Sequence, residues 1–405
     1  MPLLKKVYRT MLENKGIYLG ALYLVLIASL AFVAMVMVAS NLQTTFDTFT
    51  NEHQLADAEF YLDSEINVPE LESRFNAKLE QGSVIDYETK PEQTLRIFAS
   101  NAVLNTHAVL EGQDLDNNSI LLDKTFAGAN KIKIGDTLSI AGKDYRVAGT
   151  VALPNYIYVI KSKEELINNA KAFGIAVLSP SNLQSIPGKS DFYAVRFNDR
   201  TNIHQQEAGL KSYLLANGHQ VLNWQSMEKK SQVSLVKMEL RVLGIMSKVS
   251  PGAIIILTSI LLSILLKRMI QRESVVIGTL YALGYRKKEL LSHYLMYPMI
   301  ITGYGALIGA VLGMILMRFM LKFMLVAFPM PLQSIEYNWP ALLLGIDRLS
   351  TLDCAFRERK LLIGPDSDIG IGRNPQHAVQ FLHGHEEEFS GIGAGNYINF
   401  QRVLF

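Results

Sequence analysis

Residues 17–39 read IYLGALYLVLIASLAFVAMVMVA, an uncharged apolar run that is long enough to cross a bilayer as a single helix. Basic residues precede it, and the last of them is Lys15. A secretory signal peptide starts in the same way, but its apolar centre is only about 7–15 residues long and a small-residue cleavage site follows it. This run is longer and no such site follows it, so the sequence predicts a retained transmembrane helix over 17–40.

Two more apolar runs predict further transmembrane helices, at 249–266 and at 293–326. The last run contains Gly305, Gly309 and Gly313, which are spaced four apart and therefore lie on one helix face. Glycine is common in membrane helices, so its presence alone has a plain explanation. Because the four-residue spacing repeats, we favour a helix-packing face on which two helices approach closely.

The positions of the basic residues predict the orientation of these helices. Segment 267–292 carries the largest group of them, at Lys267, Arg268, Arg272, Arg286, Lys287 and Lys288. Basic flanks stay on the cytoplasmic side, so this segment and the N-terminus, 1–16, are predicted to be cytoplasmic. Arg318 and Lys322 oppose this orientation but are fewer. The chain is then a multi-pass protein of a bacterial-type plasma membrane.

The composition excludes several classes of function. The chain has 405 residues, with 39 Lys and Arg against 37 Asp and Glu, and a formal charge of +2. That balance gives no reason to expect a nucleic-acid partner. The single cysteine, Cys354, excludes an intrachain disulfide. The region outside the membrane must therefore be held together by its packed core.

Residues 41–226 are predicted to form a mixed α+β extracytoplasmic domain, inserted between the first and second transmembrane helices. Helices are predicted at 68–81 and 203–216, with a short helix after 119–122. Runs typical of strands stand at 84–87, 95–98, 108–111, 133–140, 144–151 and 192–197.

A long amphipathic helix is predicted over 227–248, where Val233, Val236, Leu240 and Leu243 form one stripe. It leads directly into the second transmembrane helix, so we interpret it as a stalk.

No set of residues in the sequence points to catalysis. Gly188-Lys189-Ser190 lacks the earlier glycine of a phosphate-binding loop, because position 183 is Leu. His383 and His385 precede three glutamates near the C-terminus, but their spacing matches no recognised metal site. We therefore expect no enzymatic activity, no cofactor and no metal site.

The most informative segment, residues 272–290, reads RESVVIGTLYALGYRKKEL. Val276, Leu280 and Leu283 share one face at helical spacing, and Gly284 is a typical helix stop. One interpretation is an interfacial helix that lies on anionic lipid. The other is a docking helix that fits a groove on a cytoplasmic partner.

This segment resembles the cytoplasmic segment of the FtsX-like, MacB-type permease subunits of ABC transporters. There, Arg-Glu is followed by apolar residues and then by Leu-Gly and basic residues. The large outside domain after the first span is similar too, as are SILLD at 119–123, IGDTL at 134–138 and YRVAG at 145–149. The resemblance covers about residues 1–345.

The resemblance implies that a separate ABC-type ATPase binds the 267–292 segment and moves the membrane helices, and that the stalk transmits this motion outside for export or mechanotransmission. It also implies a homodimer or a paired permease half. The residues that it assigns to the ATPase-docking helix are Arg272, Glu273, Val276, Gly278, Leu280, Leu283 and Gly284.

The chain departs from the family after the third span. Residues 337–346 resemble the start of a fourth transmembrane helix, but Asp347 and Arg348 follow after too few apolar residues to cross a bilayer. The tail, 347–405, is rich in glycine and polar residues, and we predict that it is disordered. A frameshift, a misassembled gene or a truncated longer permease would each produce such a tail, and a truncated half would be non-functional.

Two other functions stay open. A non-transporting membrane regulator of a cell-wall hydrolase or a sensor would carry the same docking helix and differ only in what contacts the outside domain. A membrane-anchored receptor without an ATPase is disfavoured by the 272–289 motif.

Overall fold

The computed structural model of the chain describes residues 15–337 except 163, 166 and 333. Predictions for the aborted fourth span beyond Tyr337 and for the tail therefore lie outside the described residues. The chain divides into two compact units. Within the described residues, one unit comprises 15–31 and 251–311, and the other comprises 32–250 and 312–337.

The described residues form helices and strands in a mixed order. In chain order they are α1 (Lys15–Glu52), β1 (Ala58–Leu62), α2 (Val68–Phe75), β2 (Ala77–Lys90), β3 (Gln93–Ala99), β4 (Ala108–Gly112), β5 (Ser119–Asp123), α3 (Lys124–Ala129), β6 (Thr137–Ile140), β7 (Lys143–Ala152), β8 (Phe173–Leu178), α4 (Pro180–Gln184), β9 (Ser190–Phe197), α5 (Ile203–Ala216), β10 (Val221–Ser226), α6 (Ser231–Arg272), α7 (Ser274–Ala282) and α8 (Lys287–Ala327).

The strands form one mixed sheet, and its order over the described residues is β10-β1-β9-β2-β3-β8-β5-β7-β4, with β6 paired to β7. The β3–β8 and β5–β7 pairs are parallel, and the other pairs are antiparallel. This sheet, with α2, α3, α4 and α5, confirms a mixed, sheet-rich domain after the first long helix.

Each half of the sheet has its own apolar core. One core lies around β5, β7 and β8, and includes Leu122, Phe126 and Val147. The other lies around β1, β2 and β9, where α5 contributes Leu210 and Leu214. Burial of these side chains holds the domain together without any disulfide.

The helix predicted at 68–81 is wrong in its second half. It ends at Phe75, because Asn76 takes a left-handed conformation with φ 44° and caps it. Residues from Ala77 then pair with β9, from Ala77–Phe197 to Val84–Ser190. Lys78 to Gln81 are residues that favour a helix locally, and pairing with a distant strand overrides that preference.

Most other local predictions agree with the structure. The helix over Ile203–Ala216 has the predicted bounds, and strands occupy the predicted runs of β3, β4, β7 and β9. The strand predicted at 133–140 is shorter and begins at Thr137. Strands β1, β5, β8 and β10 were not predicted from the sequence.

The three longest helices contain the predicted membrane runs. Among the described residues, two helices are long and apolar enough to cross a membrane by length and composition, over Tyr18–Glu52 and Met299–Ala327. The predicted second span, 249–266, lies within α6, which continues without a break from Ser231. Helix α6 starts four residues later than the stalk predicted at 227–248, because residues 227–230 form a turn beside β1.

Candidate functional site: the docking helix and the helix anchors

The predicted docking helix corresponds to α7, a short helix between α6 and α8. Arg272 is the last residue of α6, and Glu273 occupies the cap position before α7. Leu283 is the C-terminal cap and Gly284 follows it. The segment thus separates two long helices by one short, independently capped helix.

The end of α7 is a Schellman motif. Gly284 has φ +94°, a left-handed conformation that costs glycine little. Its N–H donates to the Tyr281 carbonyl at 3.0 Å, and the Tyr285 N–H donates to the Leu280 carbonyl at 3.2 Å. These two bonds satisfy carbonyls that the helix end would otherwise leave without partners.

Helix α8 begins directly after this turn. The Arg286 N–H donates to the Glu289 side chain at 3.0 Å, and the Glu289 N–H donates to the Arg286 carbonyl at 3.0 Å. A glutamate at the third helical position that accepts from the capping residue is half of a capping box. The turn between α7 and α8 is therefore held by local hydrogen bonds.

One face of α7 packs inward and the rest is exposed. Ile277 packs against a cluster formed by Tyr18, Ala21, Tyr297 and Ile301, in which the Tyr18 and Tyr297 rings stack at 5.9 Å. This cluster holds α7 against α1 and α8.

Two of the three apolar docking residues are exposed. Val276 is 40% exposed, Leu283 is 76% exposed and Leu280 is half-buried. Val275 is exposed as well and was not among the predicted residues. A contiguous exposed apolar surface on a helix marks a contact with another protein or with a membrane.

The other predicted residues of the docking helix frame this surface. Arg272 and Gly284 are exposed, and Glu273 and Gly278 are half-buried. The role of the whole set in binding a partner stays a prediction.

The structure places the glycine face of α8 against α1. A Cβ atom added at Gly309 would collide with the Leu26 carbonyl and lie 2.8 Å from the Ser29 Cβ. A Cβ atom at Gly305 would lie 3.0 Å from the Val25 Cβ. The Ser29 hydroxyl donates to the Ala306 carbonyl at 2.9 Å, so the two helices are close enough for a side chain to reach the neighbouring backbone. Gly313 is buried too.

Two buried polar contacts that hold the long helices, the helix anchors, lie in the other unit. The sequence did not predict them. Asn41 of α1 is 2% exposed and exchanges two hydrogen bonds of 2.8 Å with the backbone of Glu336. Lys230, directly before α6, is 2% exposed and forms an ion pair of 2.7 Å with Glu59 of β1. A single buried polar residue leaves no periodic signal in a sequence, so pattern analysis could not find either anchor.

A cavity of about 690 Å³ lies beside these anchors, between α1, α6 and the ends of the strands. Four basic and four acidic residues line it, so it has no charge preference for a ligand. Arg200 pairs with the buried Asp57 at 2.7 Å. Burial raises the pKa of the Glu207 carboxyl, although the Ser226 hydroxyl donates to it at 3.0 Å. Nothing in this arrangement selects a class of ligand.

Among the described residues, no group of three or more His, Cys, Asp or Glu side chains could hold a metal ion. The histidines and glutamates weighed in the tail, including His383 and His385, lie outside the described residues.

Comparisons with known proteins agree with the motif in this region. Residues 249–346 match the family model described as FtsX-like permease C-terminal. No curated protein matches the chain. Among solved structures, the chain is similar to the periplasmic region of MacB from Actinobacillus actinomycetemcomitans, with 12% identity over 49% of this chain and 82% of that chain. The TM-score is 0.24, and at that score the likeness supports no argument about this chain.

The matched residues include all of α7, all of α8 and residues 249–272 of α6. The resemblance drawn from the 272–290 motif is confirmed, because residues 249–346 match the model of the FtsX-like permease C-terminal domain.

Proposed function

We propose that this chain is the membrane subunit of an ABC-type system and that a separate cytoplasmic ATPase binds it through α7. The observation that carries the proposal is the exposed apolar surface of α7, with Val276 40% and Leu283 76% exposed, inside the segment that matches FtsX-like permeases. Exposed apolar residues surrounded by charged ones are typical of a protein–protein contact.

The charges around α7 support a cytoplasmic position and a rim for the contact. Arg272, Arg286 and Glu289 are exposed at its two ends. Basic segments next to membrane helices stay in the cytoplasm, where an ATPase has access to ATP. Burial of Leu280 and Leu283 would supply affinity, and the flanking charges would set the orientation of the partner.

The long helices support insertion into a membrane. Large apolar side chains of α1 and α8 are exposed, among them Tyr23, Phe319 and Phe323. In water such surfaces are unfavourable, whereas lipid covers them without cost. We propose three membrane spans, within α1, α6 and α8, with α7 on the cytoplasmic side and the sheet domain outside.

The function that follows is mechanical coupling. ATP-driven closure of the partner would pull on α7, and α6 carries any such displacement in one unbroken helix from Arg272 to Ser231, at the border of the sheet domain. An α-helix rises about 1.5 Å per residue, so α6 is long enough to cross the bilayer and continue well beyond it. The transported substrate or extracytoplasmic partner would contact the sheet domain.

The docking surface is tested by a Leu280→Asp/Leu283→Asp variant. The tagged chain is purified from native membranes in mild detergent, and co-purified ABC-type ATPase is measured by mass spectrometry. We expect at least a tenfold loss of the ATPase, because two carboxylates cannot be buried in an apolar groove. Ser274→Asp, on the opposite side of α7, is the matched control and should retain it. Equal recovery of the ATPase from all three chains would rule out docking through this face.

We also propose that a second copy of the chain, or a paired permease half, packs along α6. Met238, Val242, Ile245 and Val249 are all at least 44% exposed and recur at spacings of four, three and four residues. That spacing is the seam of a coiled coil.

A cysteine cross-link tests this contact. In a Cys354→Ser background, Ile245→Cys should give a disulfide-linked dimer in membranes, whereas Lys237→Cys, off the stripe, should not. If neither position cross-links, the stripe is not a contact between two copies of this chain.

A further inference from the structure

Lys230 is a buried lysine at the root of α6. Its side chain is 2% exposed, and its Nζ atom lies 2.7 Å from Oε2 of Glu59, whose side chain is 6% exposed. Glu59 belongs to β1, in the interior of the sheet. An unpaired buried charge is very costly, so each of these groups requires the other.

The pair is held by further contacts on every side. The second carboxylate oxygen of Glu59 accepts hydrogen bonds from Asn105 at 3.0 Å and from Asn155 at 2.7 Å. The ammonium group of Lys230 lies 4.4 Å from the centre of the Tyr156 ring. A charge pair with this many partners has one favourable geometry, unlike an apolar contact that can slide.

The loop of residues 153–160, which supplies Asn155 and Tyr156, also holds the first turn of α6. The Tyr158 N–H donates to the Gln232 carbonyl at 3.0 Å, and the Gln232 side chain donates to the Ile160 carbonyl at 3.1 Å. The Val233 and Ser234 N–H groups donate to the Lys230 carbonyl, so Lys230 begins the helix that continues towards the membrane.

The same loop reaches the residues after α8. The Tyr158 ring lies 5.7 Å from the ring of Phe328, directly beyond α8. Eight residues further, Glu336 is bonded to Asn41 of α1 through both its N–H and its carbonyl. Gln232 in the first turn of α6 and Phe328 directly after α8 therefore both contact one loop of the sheet domain.

We infer that Glu59 and Lys230 are positioning residues that fix the start of α6 to β1, so that residues 231–250 of α6 and the sheet move as one body. Its functional consequence, the transmission of a displacement along α6, rests on the proposed function. A displacement that arrives along α6 would tilt the whole sheet domain, together with the residues after α8, and would not be absorbed by bending at residue 230.

Paired replacement separates positioning from mere stability. Lys230→Met alone leaves a buried carboxylate without its partner, and the midpoint of thermal unfolding should fall by about 10 °C. Glu59→Leu/Lys230→Met removes both charges and should recover part of that loss, because no charge is left buried alone, although the Asn105 and Asn155 amides lose their acceptor. Lys124→Met, in the exposed pair with Glu111, is the control and should leave the midpoint unchanged.

The decisive readout is a distance distribution in the full chain without nucleotide or ATPase. Spin labels are placed at Lys237→Cys on α6 and Lys78→Cys on β2, in a Cys354→Ser background. The distribution should be narrow with the native pair and about twofold broader in the stable double variant, because the apolar pair fixes no angle. A double variant that is both stable and equally narrow would overturn the inference.

A measurement on the native chain covers the case in which the double variant fails to fold. The Tyr158, Val233 and Ser234 amides should exchange hydrogen as slowly as the amides of β1, since one rigid body opens in one step. Much faster exchange at these three amides would overturn the inference. Neither measurement requires the ATPase. The inference about the Glu59–Lys230 contact can therefore be wrong while the proposed docking is right, and the proposed docking can be wrong while that inference is right.

Discussion

Gly149 and Gly112 lie where β4 and β7 approach too closely for a side chain. A Cβ atom at Gly149 would collide with the Glu111 carbonyl, and one at Gly112 would collide with the Ala148 carbonyl. Gly112 also has φ +95°, which favours glycine. This close approach allows the edge strand β4 to pair with β7. Both positions therefore require a residue without a side chain.

Gly149→Ala is therefore expected to destabilise the chain by about 2–3 kcal/mol, because the clash is with backbone that cannot move aside. Gly128→Ala is the matched control, since nothing lies within 4 Å of a Cβ atom there and α3 gains a better helix former. Thermal unfolding of the purified chains in detergent compares them. A loss of the same size in both variants would show that the close approach has no special weight.

At the scale of the element, the contact between α1 and α8 depends on the glycine face. We expect Gly309→Ala to lower the midpoint of thermal unfolding by several degrees, because its Cβ would meet the Leu26 carbonyl and the Ser29 side chain. Gly303→Ala, on the same helix with nothing within 4 Å, should be neutral. Fluorescence-detected size-exclusion chromatography after heating measures this midpoint in detergent. Equal midpoints for the two variants would mean that α1 and α8 do not pack through this face.

The sequence predicted those elements whose formation depends on neighbouring residues. The bounds of α5 and the stop of α7 at Gly284 follow from local spacing and from the needs of a helix end. The larger errors of the sequence-based prediction involve distant partners. Residues 77–81 read as helix but pair with β9, and β8 reads as a plain apolar run although it lies between β3 and β5.

The same distinction applies to the candidate site. Helix α7 follows from a local motif, so the position of the helix could be predicted from residues 272–284 alone. The buried contact of Glu59 with Asn155 and Lys230 combines residues up to 171 positions apart, and no local pattern relates them. Which surface of a predicted helix stays uncovered also depends on tertiary packing, as the inward position of Ile277 shows.

At the scale of the whole molecule, the proposal stands or falls with the orientation of the membrane spans. The docking helix requires ATP on its side of the membrane, and the basic residues around it predict the cytoplasm. In the proposed topology the sheet domain is outside, because the proposed span within α6 separates α7 from residue 231.

Labelling of single cysteines tests that orientation directly. In a Cys354→Ser background, Lys78→Cys on β2 should react with a membrane-impermeant maleimide in intact spheroplasts, since this side chain is exposed. Thr279→Cys on α7 should react only after permeabilisation. Both positions are surface positions of described elements, so lack of reaction cannot be assigned to burial. The reverse pattern would place α7 away from ATP, and docking of an ATPase through its apolar face would then be physically impossible.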